Sequence, residues 1–164
     1  MIQKSTIAEG ALRPNNQEII TWGEKYATGI GLIDEQHKEL VNLTNKLYLA
    51  CLSGGDKAVG VVFKEAMSRM VEYVRFHFSA EQTLLKQINY PDYKDHKQKH
   101  DTLIRDILDA AKEYDEGKKF VPHNFVRTLK DWVFGHIAVY DKQYSFFVID
   151  QKRKGLLSDQ QING

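Results

Sequence analysis

A chain of 164 residues suits one domain with its own core, and 23 basic against 22 acidic side chains leave a formal net charge of +1. That balance gives no electrostatic case for a nucleic acid or an anionic membrane as partner, and no apolar run approaches the roughly 18 residues of a membrane span. The single cysteine, Cys51, excludes an internal disulfide and a thiolate metal cage and makes the cytoplasm the expected location, while six histidines are left to be explained.

Residues 1–20 mix polar and apolar side chains without a period, carry Arg13-Pro14-Asn15-Asn16, show no secretory signal pattern and read as an N-terminal arm. From Asp34, a residue that can cap free N–H groups, a first helix is expected to run to a stop at Gly54-Gly55. Its inward stripe is Ile33, His37, Leu40, Thr44, Leu47 and Cys51, in steps of three and four. A second helix is expected from about Lys57 to Ile88, ending ahead of Pro91, with Phe63, Ala66, Met70, Tyr73, His77, Glu81, Leu84 and Ile88 on its seam. The third should span about Asp92 to Gly117, with Tyr93, His96, His100, Leu103, Ile107, Ala110 and Tyr114 inward. Pro122 suits the first turn of a fourth, which continues to about Asp150 through Phe125, Leu129, Trp132, His136, Val139 and Gln143. Residues 151–164 read as a polar tail in which Lys152-Arg153-Lys154 is solvated.

Four helices with such stripes and short connections define an all-α protein, an antiparallel up-down-up-down four-helix bundle over residues 21–150. Five of the six histidines, His37, His77, His96, His100 and His136, take seam positions that leucine would normally fill. With about two inward positions in seven, five chance placements have a probability of order 0.002. Burying so many imidazoles is costly unless one partner satisfies them together, and a metal centre does so. Height agrees with face. At about 1.5 Å per residue, these five together with Glu81 and Asp141 fall in one slab at one pole of the bundle, within reach of a two-metal site. The pairs His77/Glu81 and His96/His100 are four apart and share a helix face. His136 and Asp141 are five apart, so Asp141 either reaches in from the flank or is brought round by a local π-type widening. His123 lies off the slab and reads as a surface residue.

These residues resemble the hemerythrin family, and its bacterial members in particular. The resemblance covers roughly residues 22–147 and rests on Ile33-Asp34-Glu35-Gln36-His37-Lys38-Glu39-Leu40, His77-Phe78-x-x-Glu81, His96-x-x-x-His100, and Trp132-x-x-x-His136-Ile137 with Asp141-x-x-Tyr144. It implies a non-haem di-iron centre, two iron ions with an oxo or hydroxo bridge. His37, His77, His96, His100 and His136 would be terminal ligands, and Glu81 and Asp141 would bridge. Two six-coordinate irons then keep one open position. His96, His100 and His136 complete one iron, so the opening falls on the iron held by His37 and His77. A single opening on ferrous iron suits a small diatomic ligand, with O2 the natural one. Leu40, Phe78, Trp132, Val133 and Ile137 resemble the family's pocket lining and could equally be plain core. Where the family often carries a second acid after the Glu81 position this chain has Gln82, which puts a supporting role for such an acid in doubt and leaves the Glu81 bridge intact.

The expected function is reversible O2 binding for carriage, storage, delivery or sensing, without enzymatic turnover. A di-iron oxidase is the alternative in a second class, although such sites use Glu and Glu-x-x-His pairs where this chain has His-x-x-x-Glu. NO or peroxide handling at the same centre is a milder variant. An O2 or redox signalling module is the third reading, ranked lower because no output domain is recognisable.

Overall fold

The computed structural model describes residues 18–52, 56–116 and 122–163. The expected stops at Gly54-Gly55 and Gly117, and most of the arm, lie outside these residues. Helix α1 is Gly31–Leu52, α2 Asp56–Gln87 and α3 Tyr93–Asp115. Then α4, Pro122–Gly135, runs without a break through a π-helical segment, His136–Asp141, into α5, Lys142–Arg153. A short α6, Asp159–Asn163, follows. Helix α1 packs against α2 and α4, and α2 against α3, as an antiparallel up-down bundle requires. Among the described residues no helix is long and apolar enough to cross a membrane.

Local chemistry explains the helix ends. Helix α1 begins three residues before Asp34, so that side chain lies inside the first turn and reaches back. Its carboxylate accepts from the Thr28 N–H at 2.6 Å, the Thr28 hydroxyl at 2.7 Å and the Gly29 N–H at 3.0 Å, fixing the chain's entry rather than capping its own helix. At the end of α2, Asn89 takes the left-handed conformation with φ 51°, which asparagine tolerates. The Tyr90 N–H then bonds the Leu85 carbonyl at 2.9 Å and the Asn89 N–H bonds that of Lys86 at 3.1 Å, closing a Schellman turn ahead of Pro91.

The stripes expected on the first three helices are buried or half-buried throughout. The fourth departs. Val139 is 51% exposed and Gln143 is exposed, whereas Ile137, Asp141, Tyr144 and Val148 are buried. The π segment accommodates one extra residue and moves the inward face by one position from there onward.

The apolar interior is divided in two. One cluster gathers Leu40, Leu47, Phe63, Met70, Phe78, Leu103, Leu129, Val133 and Ile137; the other gathers Ile33, Leu84, Leu85, Tyr90, Tyr144 and Val148. On every helix the change from one cluster to the other falls at the polar residues, between Ile33 and Leu40, Phe78 and Leu84, Tyr93 and Leu103, Ile137 and Tyr144. A polar layer therefore crosses the core. Each fully buried large apolar side chain contributes roughly 1.5–3 kcal/mol, and the clusters on either side keep the layer in place.

Residues 18–30 are tied to the bundle. The Asn45 amide accepts from the Ile19 and Ile20 N–H groups, both at 3.0 Å, and donates to the Ile20 carbonyl at 2.8 Å, with Ile20 buried. The Ser145 hydroxyl donates to the Thr28 carbonyl at 2.5 Å, and the Lys142 ammonium donates to the Ala27 carbonyl. At the other end, Lys152, Arg153 and Lys154 are exposed and pair with Asp150 or Asp159, while Ile162 packs into the second cluster.

Candidate metal centre

The polar layer consists of His37 from α1, His77 and Glu81 from α2, His96 and His100 from α3, and His136 and Asp141 from the π segment. All seven are at most 3% exposed. Ligand-type atoms of Glu81, His96, His100, His136 and Asp141 lie within 4.8 Å of one another. Asp141 divides its oxygens, with Oδ1 at 3.1 Å from His136 Nε2 and 3.4 Å from His96 Nε2, and Oδ2 at 3.2 Å from His37 Nε2. Glu81 Oε2 lies 3.2 Å from His100 Nε2 and 3.6 Å from His77 Nε2, and its Oε1 lies 3.4 Å from His96 Nε2. Both carboxylates thus stand between a three-histidine side and a two-histidine side, where the His37 and His77 rings are 4.8 Å apart.

The five-residue spacing of His136 and Asp141 is resolved by the π segment that begins and ends on them. On an α-helix a residue five positions on is turned well away, whereas i→i+5 bonding brings it close beneath. Of the two arrangements open from sequence, the widening is the one observed.

Electrostatics makes this layer a cation site. Burial holds His77 down to about 3 and His100 down to about 4, so both are neutral at pH 7 with lone pairs to offer. Burial alone would raise the Glu81 carboxyl, but the His100, His96 and His77 imidazoles close beside it outweigh burial and hold it well below the usual range. Asp141 is also held low: burial and Glu81 push it up, and His136 and His37 overcome them. His96 is displaced upward, since the Glu81 carboxylate beside it outweighs the effect of burial. Two buried anions are therefore surrounded by five imidazoles, of which His77 and His100 are neutral. His37 Nε2, His77 Nε2, His96 Nε2 and both oxygens of Glu81 and of Asp141 have no protein hydrogen-bond partner. His100 Nε2 and His136 Nε2 approach to 2.8 Å, a separation that needs a proton or a cation between them. Polar atoms this deeply buried and this poorly satisfied fit a bound metal, and imidazole with carboxylate suits iron.

Around the layer, Phe78 stacks on His100 with centroids 3.6 Å apart, and Trp132 stacks on His136 at 4.5 Å. Leu40, Phe78, Val133 and Ile137 are buried in the first cluster, with Trp132 packed against it. Phe78 and Trp132 lie on the three-histidine side; Leu40 is one turn from His37. Tyr144 is fully buried, and burial, then Glu81 and Asp141, push its hydroxyl well above the usual range. A cleft of about 450 Å³ between α3 and the start of the π segment, lined in part by Lys99, Thr102, Trp132 and Tyr140, reaches His136. His123 is exposed and apart from the layer.

Three neighbours escaped the sequence. The Gln36 amide oxygen lies 3.0 Å from His77 Nδ1, and the Gln82 amide nitrogen 3.3 Å from His100 Nδ1. Trp22 lies against His37 with centroids 6.4 Å apart. At Gln82 an amide, not an acid, reaches the imidazole. Nothing in the spacing of Gln36 or Trp22 signals these contacts, which cross from one segment to another.

The fold and this layer define a class, the helical bundles with a buried histidine and carboxylate metal centre. The family model of the hemerythrin HHE cation binding domain matches residues 28–145, and the chain belongs to the hemerythrin family. It is 30% identical over 127 residues to a bacteriohemerythrin of Methylococcus capsulatus, covering 77% of this chain and 94% of that protein. To one of Pseudomonas aeruginosa it is 30% identical over 125 residues, covering 76% and 78%. A hemerythrin-like protein of Naegleria gruberi is 28% identical over 123 residues, 75% of this chain and 88% of that one. The crystal structure of a wild-type hemerythrin superposes with a TM-score of 0.71 at 29% identity, covering 77% and 95%.

Proposed function

We propose that the protein binds O2 reversibly at a non-haem di-iron centre held by His37, His77, Glu81, His96, His100, His136 and Asp141. The observation that carries this reading is the convergence of unpartnered buried nitrogens and carboxylate oxygens from these residues, with Asp141 offering one oxygen to each side. Family membership supports iron as the metal. Bound ferrous iron supplies electrons and an open coordination position for O2.

The chain's own residues do the rest. His96, His100 and His136 hold one position, His37 and His77 the other, and Glu81 and Asp141 span both. With one histidine fewer, the His37 and His77 side is where O2 would bind. Leu40, one turn from His37, together with Phe78, Trp132, Val133 and Ile137 around the layer, would supply the apolar surroundings that keep water and outside protons from the bound gas and so allow release as O2. The histidine-rich set favours binding over turnover, so we read the protein as a carrier, store, supplier or sensor of O2 rather than an enzyme, working in the cytoplasm.

The test is iron quantification with absorption spectra of reduced, air-exposed and re-deoxygenated protein. Two irons per chain and a spectral change that reverses on removal of O2 are expected. Protein unable to take up iron, or one that consumes O2 with turnover of a substrate, would overturn the reading.

A further inference from the structure

We infer that Gln36 and Gln82 are positioning residues, each setting one ligand histidine with a neutral amide, one on either side of the centre. This rests on the di-iron reading above. A histidine bound to metal through Nε2 carries its remaining proton on Nδ1, and an acceptor there fixes ring orientation and tautomer. Of the five histidines, His77 has the Gln36 amide oxygen at 3.0 Å from Nδ1, in place to accept that proton. His100 has the Gln82 amide nitrogen at 3.3 Å from Nδ1. His37 Nδ1 and His136 Nδ1 are buried without a hydrogen-bond partner. The support is therefore selective, and it is distributed one amide to each metal position.

The choice of amide has two consequences. An amide both donates and accepts, whereas a carboxylate only accepts. The Gln82 amide can donate an N–H to an unprotonated His100 Nδ1 in the metal-free protein and, after a half-turn, accept the Nδ1–H through Oε1 once Nε2 is on the metal, so His100 keeps its partner in either state. An amide also brings no charge. Gln36 is 5% exposed and Gln82 half-buried, so a carboxylate at either place would set a third anion beside Glu81 and Asp141 and stabilise ferric iron over ferrous. Two neutral partners hold the rings without adding the negative charge that would favour ferric iron.

The experiment compares wild type, Gln82→Leu, Gln36→Leu and Gln82→Glu for anaerobic ferrous-iron affinity against a chromophoric chelator and for reduction potential, with helicity as the folding control. Each leucine variant should lose about 10–100-fold in ferrous affinity while remaining helical. Gln82→Glu should restore affinity and shift the ferric-to-ferrous preference at least tenfold toward ferric, read as a lower potential. A role in packing alone would leave ferrous affinity unchanged in the leucine variants, which fill a similar volume. Leucine variants that bind ferrous iron as tightly as wild type, or a Gln82→Glu protein with wild-type potential, would overturn the inference while leaving the centre in place. If Gln82→Leu fails to fold, the potential of Gln82→Glu decides. Wild type that binds no iron would overturn the di-iron reading, and this inference with it.

Discussion

Two pairs of a histidine and an acid line the centre, and they are built differently. In α2, His77 and Glu81 sit four apart on a regular helix, and the residues that follow, Leu84, Leu85 and Ile88, stay on the inward face. In the fourth rod, His136 and Asp141 sit five apart with the extra residue absorbed by the π segment, and Tyr144 and Val148 follow inward on a shifted register. The first pair costs the helix nothing. The second departs from regular bonding to bring a residue five positions on beneath His136, and π segments of this kind gather at functional sites.

Deleting one residue from each pair separates the two designs most sharply. Removing exposed Ser79 from α2 rotates everything after it by about 100° and turns Leu84, Leu85 and Ile88 away from the core. Each such loss costs roughly 2–5 kcal/mol, so calorimetry should find no cooperative native transition. Removing Ala138 takes the surplus residue out of the π segment, leaves both flanks in phase and should keep the fold. The metal-free protein should be at least as stable while its iron affinity falls, because the shortened segment shifts Asp141 from the place where Oδ1 faces His136 and Oδ2 faces His37. Equal damage from the two deletions would break the comparison.

Point substitutions test the layer itself. His77→Ala or Glu81→Ala should lose at least one iron per chain by metal analysis and keep a helical circular dichroism spectrum, whereas His123→Ala should retain both irons. The reverse pattern would sink the assignment. A smaller effect is expected from acid. His77 and His100 are held to about 3 and about 4 in the folded protein, below the ordinary value of 6.5. The unfolded chain therefore binds more protons between those values, and their contribution to stability, full above pH 6.5, is lost as pH falls toward 4. Depressed Glu81 and Asp141 act in the same direction at lower pH; raised His96 opposes them, its contribution being full below 6.5 and lost as pH rises through its folded value. Urea unfolding of metal-free protein from pH 7 to pH 4 should show a falling midpoint, and a flat profile would mean that these rings are not buried neutral.

The same contrast explains what could be read without coordinates. Regular three-four spacing carries α1, α2, α3, the five histidines and Glu81 directly, because an α-helix converts spacing into face. Val139 and Gln143 were misplaced for a physical reason: one residue of π geometry changes the phase, and periodicity assumes a constant one. Asp141 sat at the point where two geometries remained open. Gln36 and Trp22 make contacts between segments distant in sequence, which no spacing within one helix encodes. Gln82 was noticed only as a departure from a pattern, while its amide reaches His100 from the neighbouring helix.

The chain's two tryptophans flank the layer separately, Trp22 against His37 and Trp132 stacked on His136. Each indole is thus an optical reporter of one half of the centre. Emission from Trp22→Phe protein would follow occupancy beside His136, and emission from Trp132→Phe protein occupancy beside His37, so the order in which the two halves fill can be followed with light alone.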